Sequence, residues 1–391
     1  MKKVLVVMAS LYNGGAERSL VNMLTEFPPD KYKIDLLLFK RAGMFLNQVP
    51  SYVNILDTPK DLSRLYGGLK DAKALLPIKL ISNAVSRAFT KNSREMRGFR
   101  WKYFYGKHIS VLPGEYDAAL AYISGEVLYY VSEKVRAKKK IVWIHNDYRS
   151  AMHPRKYDYT HLKNMDALVS ISDSCVDILK EEFPEFEDKT YMLENITSST
   201  TINKRANEFF PEEFTLDQFN ILSIGRLHEQ KGFDIAIEAA TVLKNKGCKF
   251  VWYIIGTGEL QETLSKMIVE NNLKDSFVLL GARENPYPYI KNCDIFVQPS
   301  RYEGKSVVLD EAKIIGVPII ATAYPTVGDQ LVDNIEGMIA NLNVNDLSNT
   351  IEKMMNDDEL RLRLINNLNR NEYGNQKEIN KYINLIDNCA L

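Results

Sequence analysis

The segment Gln298–Thr322, QPSRYEGKSVVLDEAKIIGVPIIAT, constrains the fold more strongly than any other part of the chain. The apolar run Cys293–Val297 comes just before it and stops at Pro299, a pattern that predicts a buried strand followed by a loop. We predict that a helix then runs from near Gly304 to about Ile315, because Gly316 is a typical C-terminal stop. A strand, a loop and a helix in this order place functional groups on the loop.

The start of this predicted helix is suited to an anion. The first backbone N–H groups of a helix have no partner inside it, and here they belong to the residues from Gly304 to Val307, including Ser306. The helix dipole favours negative charge at the same end. The sequence therefore predicts a phosphate site at this loop.

Two glutamates, Glu303 and Glu311, bracket the same turn. Their backbones would lie roughly 12 Å apart along a helix axis, so the two carboxylates cannot act on one atom. They fit the two ends of one extended ligand that carries a phosphate between them. Because carboxylates accept hydrogen bonds from hydroxyls, the pattern favours a nucleotide sugar, with Glu303 at the hexose and Glu311 at the ribose. An ordinary loop glutamate and a solvated helix glutamate are the alternative.

The stretch EGKSVVLDEA, with PS before it and GVPIIAT after it, resembles the donor-site signature of the retaining glycosyltransferases of family 4. The resemblance extends from Gly14 to about Leu342. It implies an α/β fold of the GT-B class, with two Rossmann-like domains that face each other across a cleft and a C-terminal helix that crosses back to the first domain. Lys305 and Ser306 stand where many members of the family have Phe-Gly.

The chain length agrees with two domains, because 391 residues exceed what one hydrophobic core usually supports. We predict an acceptor-binding domain over 1–205, a donor-binding domain over 206–370 and a returning helix over 371–391. Lys plus Arg equals Asp plus Glu at 50 each, which gives no indication of a nucleic-acid partner.

Two further patterns bear on where the protein works. The four cysteines show no C-x-x-C spacing, which argues against a disulfide framework or a zinc site and favours a reducing cytosol. No apolar run reaches the ~18 residues that a membrane-spanning helix needs. Any membrane contact is therefore expected to be peripheral.

The segment GRLHEQKG, Gly225–Gly232, follows the predicted strand Asn220–Ile224 and matches the family's G-R-x4-K-G pattern. A diphosphate leaving group gains charge as the glycosidic bond breaks, and a positioned Arg226 and Lys231 would stabilise it. No Asp-x-Asp occurs in the chain, so we expect these cations, and no metal, to supply the positive field. A random pair of surface cations is the alternative.

The N-terminal half contributes two further candidates. Gly14 and Gly15 follow the predicted strand Val4–Ala9, and a ligand can approach the backbone closely where side chains are absent. A plain tight turn is the alternative, but the resemblance implies that Gly15 faces the acceptor and the donor phosphates. His145 ends the predicted strand Lys139–His145 at the carboxyl edge of the sheet, where α/β proteins bind ligands. The resemblance implies that His145 lies close to the transferred sugar.

The segment 69–107 is basic and is interleaved with apolar and aromatic residues. Only Asp71 and Glu95 oppose its ten cations, which are Lys70, Lys73, Lys79, Arg87, Lys91, Arg94, Arg97, Arg100, Lys102 and Lys107. Such a composition is typical of a surface that binds anionic membranes. Solvated helices that cap the acceptor domain are the alternative.

Together these patterns predict a retaining, metal-independent glycosyltransferase that needs no cofactor. The donor is expected to be a nucleotide-diphosphate sugar, UDP- or GDP-linked, and the resemblance implies a lipid-linked glycan acceptor in the synthesis of bacterial capsule or exopolysaccharide. We expect a cytoplasmic enzyme, peripheral at the inner face of the plasma membrane. A GT-B epimerase or phosphorylase, or an inactive sugar-nucleotide-binding partner subunit, are the alternatives. The predicted catalytic residues are His145, Arg226, Lys231 and Glu303, and the predicted donor-binding residues are Gly15, Arg226, Lys231, Glu303, Ser306, Val307 and Glu311.

Overall fold

A computed structural model describes residues 1–12, 14–214, 217–303 and 305–388. The chain forms two compact units, the first made of Met1–Ile196 with the segment that starts at Gln376, the second of Thr197–Asn375. The division falls before the predicted boundary at 205. The reason is the helix Ser199–Ala206, which sequence analysis does not detect and which packs Ile202 and Ala206 into the core of the second unit.

The first unit contains a seven-stranded parallel sheet in the order β3-β2-β1-β4-β5-β6-β7. Its strands are β1 (Lys2–Met8), β2 (Tyr32–Leu38), β3 (Asn54–Ile55), β4 (Tyr116–Ala121), β5 (Ala137–Ile144), β6 (Ala167–Ser170) and β7 (Thr190–Met192). Its α-helices before the crossing to the second unit are α1 (Gly15–Glu26), α2 (Lys60–Tyr66), α3 (Leu76–Phe89), α4 (Ser93–Arg100), α5 (Glu126–Lys134), α6 (Arg155–Lys163) and α7 (Asp173–Glu182).

Strand β1 lies in the interior of this sheet, between β2 and β4, and its position explains why its sequence is continuously apolar. Leu5 and Val7 pack into the hydrophobic core on one face of the sheet, whereas Val4, Val6 and Met8 pack into the core on the other. A parallel strand with both faces covered needs apolar side chains at every position.

The second unit contains a six-stranded parallel sheet in the order β10-β9-β8-β11-β12-β13. Its strands are β8 (Phe219–Ile224), β9 (Phe250–Ile255), β10 (Phe277–Gly281), β11 (Ile295–Gln298), β12 (Ile319–Thr322) and β13 (Met338–Ala340). Its helices are α8 (Ser199–Ala206), α9 (Phe233–Asn245), α10 (Gln261–Glu270), α11 (Tyr287–Asn292), α12 (Val307–Ile315), α13 (Val344–Asn356) and α14 (Asp358–Asn369).

The region 344–369 forms two helices, α13 and α14. Asp357 lies between α13 and α14, and its side-chain oxygen accepts a hydrogen bond from the Leu360 N–H at 2.8 Å. This is the geometry of an N-cap, which starts a new helix.

The last described helix, α15 (Ile379–Asn388), belongs to the first unit. Tyr382 is fully buried, its ring stacks on Trp143 at 5.5 Å, and its hydroxyl donates to the Glu194 carbonyl at 2.7 Å. The predicted return of the chain to the first domain is therefore confirmed. None of the described helices combines the length and the apolar character that crossing a membrane would require.

Both strand orders contain a topological switch point, where successive connections leave in opposite directions. It lies between β1 and β4 in the first sheet and between β8 and β11 in the second. Ligands of open α/β sheets bind in the crevice outside the carboxyl ends of strands at such points. The fold therefore predicts ligand sites at the loops that follow these four strands.

Candidate active site

The loops that follow β8 and β11 are packed directly against each other. Gly232 has a φ of +64° in the left-handed region, and a Cβ there would lie 2.0 Å from the Pro299 carbonyl oxygen. The Arg301 N–H donates to the Gln230 carbonyl at 2.7 Å, and the Arg301 guanidinium pairs with Asp234 at 2.5 Å. Gly232, the last residue of the segment GRLHEQKG, must therefore be glycine, because a side chain there would collide with Pro299.

Lys231 and Glu303 form an ion pair across these two loops, with Nζ and Oε1 2.6 Å apart. The Ser300 hydroxyl donates to the same oxygen at 2.7 Å, and the Gln230 amide donates to Oε2 at 3.2 Å. The Glu303 side chain is only 7% exposed. Three donors therefore hold this carboxylate in one orientation at the switch point.

Gly225 makes room for the lysine. A Cβ at this position would lie 3.1 Å from Cδ of Lys231, tighter than an ordinary contact. The next residue, Arg226, is exposed. In the part of the chain that the structure describes, its guanidinium has no hydrogen-bond or ion-pair partner. The loop after β8 thus offers one cation that is already paired and one that is accessible.

Helix α12 begins at Val307, with Ser306 as its N-cap residue, later than the predicted start. Gly304 lies outside the described residues. The Ser306 N–H donates to the side-chain oxygen of Gln330 at 2.7 Å, and its hydroxyl donates to Gln298 at 2.8 Å. The N–H groups at this helix N-terminus that could bind an anion therefore start at Val307.

Gln330 is a residue that sequence reasoning misses. Its side-chain N–H group donates to the Ser306 carbonyl at 3.1 Å and to the Asp310 carboxylate at 3.1 Å. It therefore braces the first turn of α12 from the segment PTVGDQ that follows β12. The only signal in the sequence is that this segment comes directly after a buried strand.

Glu311 lies one turn into α12 and is 1% exposed. The Tyr287 hydroxyl, at the start of α11, donates to its carboxylate at 3.1 Å. The two predicted ligand glutamates thus differ in their surroundings. Glu303 contacts Lys231 of the loop after β8, whereas Glu311 points into the unit beside α11.

In the first unit, Gly15 begins α1 directly after the loop from β1, and Asn13 of that loop lies outside the described residues. A Cβ at Gly15 would meet nothing within 4 Å, so space is open on that side. A Cβ at Gly14 would instead lie 2.0 Å from the Glu17 carboxylate.

His145 directly follows β5, and its Nε2 donates to the Tyr122 carbonyl at 3.0 Å. Burial lowers the pKa of His145 to about 4. The imidazole is therefore neutral at pH 7, with its proton on Nε2 and held by the backbone at the end of β4. The Tyr122 hydroxyl lies 2.9 Å from the Ser19 hydroxyl on α1, which connects His145 to the Gly15 helix.

The basic segment 69–107 is not one surface. Arg94 donates to Nδ1 of His153 at 3.1 Å, and Arg100 lies 3.8 Å from the Glu126 carboxylate. Glu126 is the first residue of α5, so these arginines approach the carboxyl edge of the sheet. Lys79 is also buried and donates to the Gly67 carbonyl. Three of the ten predicted surface cations therefore point inward.

The structure brings some of the predicted site residues together. Lys231 and Glu303 are in direct contact, with Arg226 in the same loop and Ser306, Val307 and Glu311 at the start of the adjoining helix. Gly15 and His145 lie in the first unit.

Comparison with known proteins places the match to a family model within the second unit. Residues 204–370 match the family model described as glycosyl transferases group 1. The chain is 30% identical over 198 residues to the N-acetylgalactosamine-N,N'-diacetylbacillosaminyl-diphospho-undecaprenol 4-alpha-N-acetylgalactosaminyltransferase of Campylobacter jejuni, covering 50% of this chain and 52% of that protein. It is 34% identical over 145 residues to the amylovoran biosynthesis glycosyltransferase AmsK of Erwinia amylovora, covering 33% of this chain and 36% of AmsK. The chain thus spans about half or less of these two relatives.

Among solved structures, the crystal structure of HepE from Anabaena in complex with UDP and glucose superposes with a TM-score of 0.64 at 15% identity, covering 98% of both chains. This likeness concerns the fold, and together with the two parallel sheets it confirms the predicted α/β GT-B class. None of these three proteins is named as an epimerase or a phosphorylase. Residues 204–370, nearly the whole of the second unit, therefore match the group 1 glycosyltransferases.

Proposed function

We propose that the protein is a retaining glycosyltransferase that moves a sugar from a nucleotide-diphosphate sugar to an acceptor. One observation carries this proposal. Arg226, Lys231 and Glu303 converge at the switch point of the second sheet, beside the N-terminus of α12 and inside the segment that matches the family model.

The cations of this site would stabilise the leaving group. As the bond between the anomeric carbon and the phosphate oxygen breaks, its electron pair passes to the diphosphate. The exposed Arg226 and the half-buried Lys231 offer charge-assisted hydrogen bonds to that oxygen, and the helix N-terminus adds its dipole. Preorganised charges of this kind lower a barrier because they need no rearrangement during the reaction.

Glu303 would have two roles in this proposal. Its ion pair holds Lys231 in place before the donor binds. Its carboxylate can also accept a hydrogen bond from a hydroxyl of the sugar, which would orient the anomeric carbon. The acceptor hydroxyl then attacks from the face that the diphosphate leaves, and the departing phosphate oxygen takes its proton, so that the anomeric configuration is retained.

The nucleoside would lie beside Glu311. The Tyr287 hydroxyl already orients this carboxylate, and a carboxylate accepts hydrogen bonds of the kind that ribose hydroxyls donate. In the first unit, Gly15 and His145 are also proposed as site residues, because the open side of Gly15 allows a ligand to approach the backbone closely and the neutral His145 directly follows a strand at the carboxyl edge of its sheet.

The relatives support the choice of substrates. HepE was crystallised with UDP and glucose, which favours a UDP-sugar among the candidate donors. The Campylobacter enzyme takes its name from a diphospho-undecaprenol acceptor, and AmsK from amylovoran biosynthesis. We therefore propose a lipid-linked glycan acceptor in the synthesis of a bacterial surface polysaccharide, without a metal or another cofactor.

A donor panel tests this function. The purified protein is incubated with UDP-, GDP- and ADP-sugars, and release of the free nucleoside diphosphate is measured. We expect slow hydrolysis of one class of donor by the wild type, reduced at least tenfold in Arg226→Ala. Absence of turnover with every donor, with and without a lipid diphosphate acceptor, would contradict the proposal.

Helix α3 supports a peripheral location at the inner face of the plasma membrane. Its inward face carries Ser82 and Ser86, both fully buried, whereas Leu80, Ile81 and Phe89 are 51%, 54% and 70% exposed. A helix with its apolar side chains outward is stabilised when an apolar medium covers them. Exposed cations of the same segment flank this face and suit anionic lipid headgroups, namely Lys70, Lys73, Arg87 and Lys91.

The membrane proposal is tested with vesicles that contain phosphatidylglycerol. Replacing the four flanking cations with Gln should weaken binding up to about a thousandfold, at ~1 kcal/mol for each charge near the surface. The matched control removes four exposed lysines elsewhere on the first unit, Lys31, Lys33, Lys60 and Lys163. Equal co-sedimentation of the wild type and the segment variant would contradict the membrane proposal and favour the alternative that α3 is a solvated helix.

A further inference from the structure

A cavity of about 420 Å³ lies in the first unit, between the end of α4, the turn that follows it, α5 and α6. Its volume falls within the ~300–1,000 Å³ that is usual for small-molecule sites. The walls include Lys134 at the end of α5 and His161 near the end of α6. His145 is not among the residues that line the cavity.

The lining carries an excess of positive charge. Four lysines line the cavity, Lys102, Lys107, Lys134 and Lys156, against a single carboxylate, Glu133. Lys134 lies 3.9 Å from Glu133, and Lys156 pairs with Glu95 at 3.0 Å. Within the described ranges Lys102 and Lys107 have no ion pair. At least two ammonium groups are thus available to a ligand.

Two buried polar atoms on the walls have no partner among the described residues. They are Nε1 of Trp101, a residue that is 1% exposed, and Nδ1 of His161, which is 9% exposed. Buried polar groups in folded proteins are nearly always hydrogen-bonded. The indole N–H can only donate, so its missing partner is an acceptor.

Two glycines allow close packing beside these groups. A Cβ at Gly106 would lie 3.1 Å from Nε1 of Trp101, and a Cβ at Gly98 would lie 2.6 Å from the ring of Tyr157. Between the glycines, Trp101–Tyr105 forms a π-helical turn, a form that is frequent at functional sites. The backbone between Gly98 and Gly106 is therefore closely packed against the Trp101 indole and the Tyr157 ring, which both line the cavity.

We propose that this cavity binds a small ligand that carries phosphate groups. The lysine ammonium groups and the indole N–H would donate to the phosphate oxygens, and Glu133 would accept from a hydroxyl elsewhere on the ligand. The site is independent of the donor site of the second unit. The same chemistry is offered by a soluble phosphate compound and by a phospholipid headgroup, and the two sources are separable by experiment.

Calorimetric titration of the full chain with inorganic pyrophosphate tests the site. The double variant Lys102→Gln/Lys107→Gln removes the two cations of the walls that have no ion pair, and we expect its affinity to fall at least tenfold. The control Lys60→Gln/Lys163→Gln removes the same charge from exposed positions of the same unit and should bind like the wild type. Gly106→Ala should also weaken binding, because the added methyl group crowds the indole N–H.

Further measurements separate the sources and the sites. Pyrophosphate bound at the donor site would be lost in Lys231→Ala and kept in the lysine pair variant, so failure of the proposed transferase function leaves this result intact. If a phospholipid headgroup is the ligand, co-sedimentation with phosphatidic acid vesicles falls in the pair variant but not in its control. The proposal is overturned if the wild type shows no saturable binding to either probe, or if the pair variant binds both as the wild type does.

Discussion

The pair of Lys231 and Glu303 allows a quantitative test of the donor site. Nζ and Oε1 are 2.6 Å apart, and the two side chains are 19% and 7% exposed. In Lys231→Ala the buried carboxylate keeps only Ser300 and Gln230 as donors. We therefore expect both stability and turnover to fall, for different reasons.

The expected magnitudes follow from burial. A buried charge that loses one of its partners costs about 1–3 kcal/mol, so the free energy of unfolding should drop by that amount. Loss of one preorganised charge at a reacting centre costs roughly 10²-fold or more in kcat. Lys231→Ala/Glu303→Gln should regain most of the stability, because no carboxylate is left without its cation, but none of the turnover.

Urea denaturation and donor hydrolysis measure the two effects separately. Lys246→Ala is the matched control, since Lys246 and Glu352 form a similarly short ion pair, 2.5 Å, but are 37% and 33% exposed. Exposed ion pairs contribute at most about 1 kcal/mol, and this one lies away from the site. If Lys231→Ala were no less stable than this control, the structural role of the pair would be refuted. An unchanged kcat would refute the diphosphate assignment.

Three other perturbations test the remaining groups. Arg226→Ala should reduce kcat about 10²-fold while leaving urea denaturation unchanged, because the side chain is exposed; unchanged turnover would remove it from the site. Glu311→Ala should weaken calorimetric binding of nucleoside diphosphate, whereas Glu303→Ala should spare binding and damage transfer, and equal losses would reject this division. Burial lowers the pKa of the His161 imidazole to about 4, so on acidification the unfolded chain takes up this proton at a higher pH than the folded protein does. The free energy of unfolding therefore falls as the pH drops below 6.5. His161→Gln should reduce the loss of unfolding free energy between pH 7 and pH 5 by about 2 kcal/mol, and an identical pH profile would contradict the shift.

Strands and strand ends were predictable from the sequence because parallel strands are buried on both faces. The apolar runs that end at Ile224 and Gln298 define β8 and β11, and the segments after them carry the polar residues of the candidate site. The fold class followed from the alternation of predicted strands and helices along the chain and from the resemblance around Glu303.

Contacts between loops were not predictable. The sequence suggests Lys231 as a free cation, but its partner Glu303 is 72 residues away in the chain. Which loops touch depends on the strand order, and strand order is set by packing across the whole sheet. The role of Gln330 was missed for the same reason.

The basic segment shows a second limit. Composition counts charges but does not say which face of a helix packs inward. Arg94 and Arg100 lie against His153 and Glu126, whereas Arg87 and Lys91 remain exposed. Nor did the polar sequence of α8 reveal a helix, because only Ile202 and Ala206 reach a core.

The division of the chain has a consequence for folding during synthesis. The second unit is inserted within the first, whose helix α15 is translated only after all of Thr197–Asn375. Until Tyr382 arrives, one face of Trp143 lacks its cover. The core of the first unit can therefore close only after the whole second unit has been synthesised.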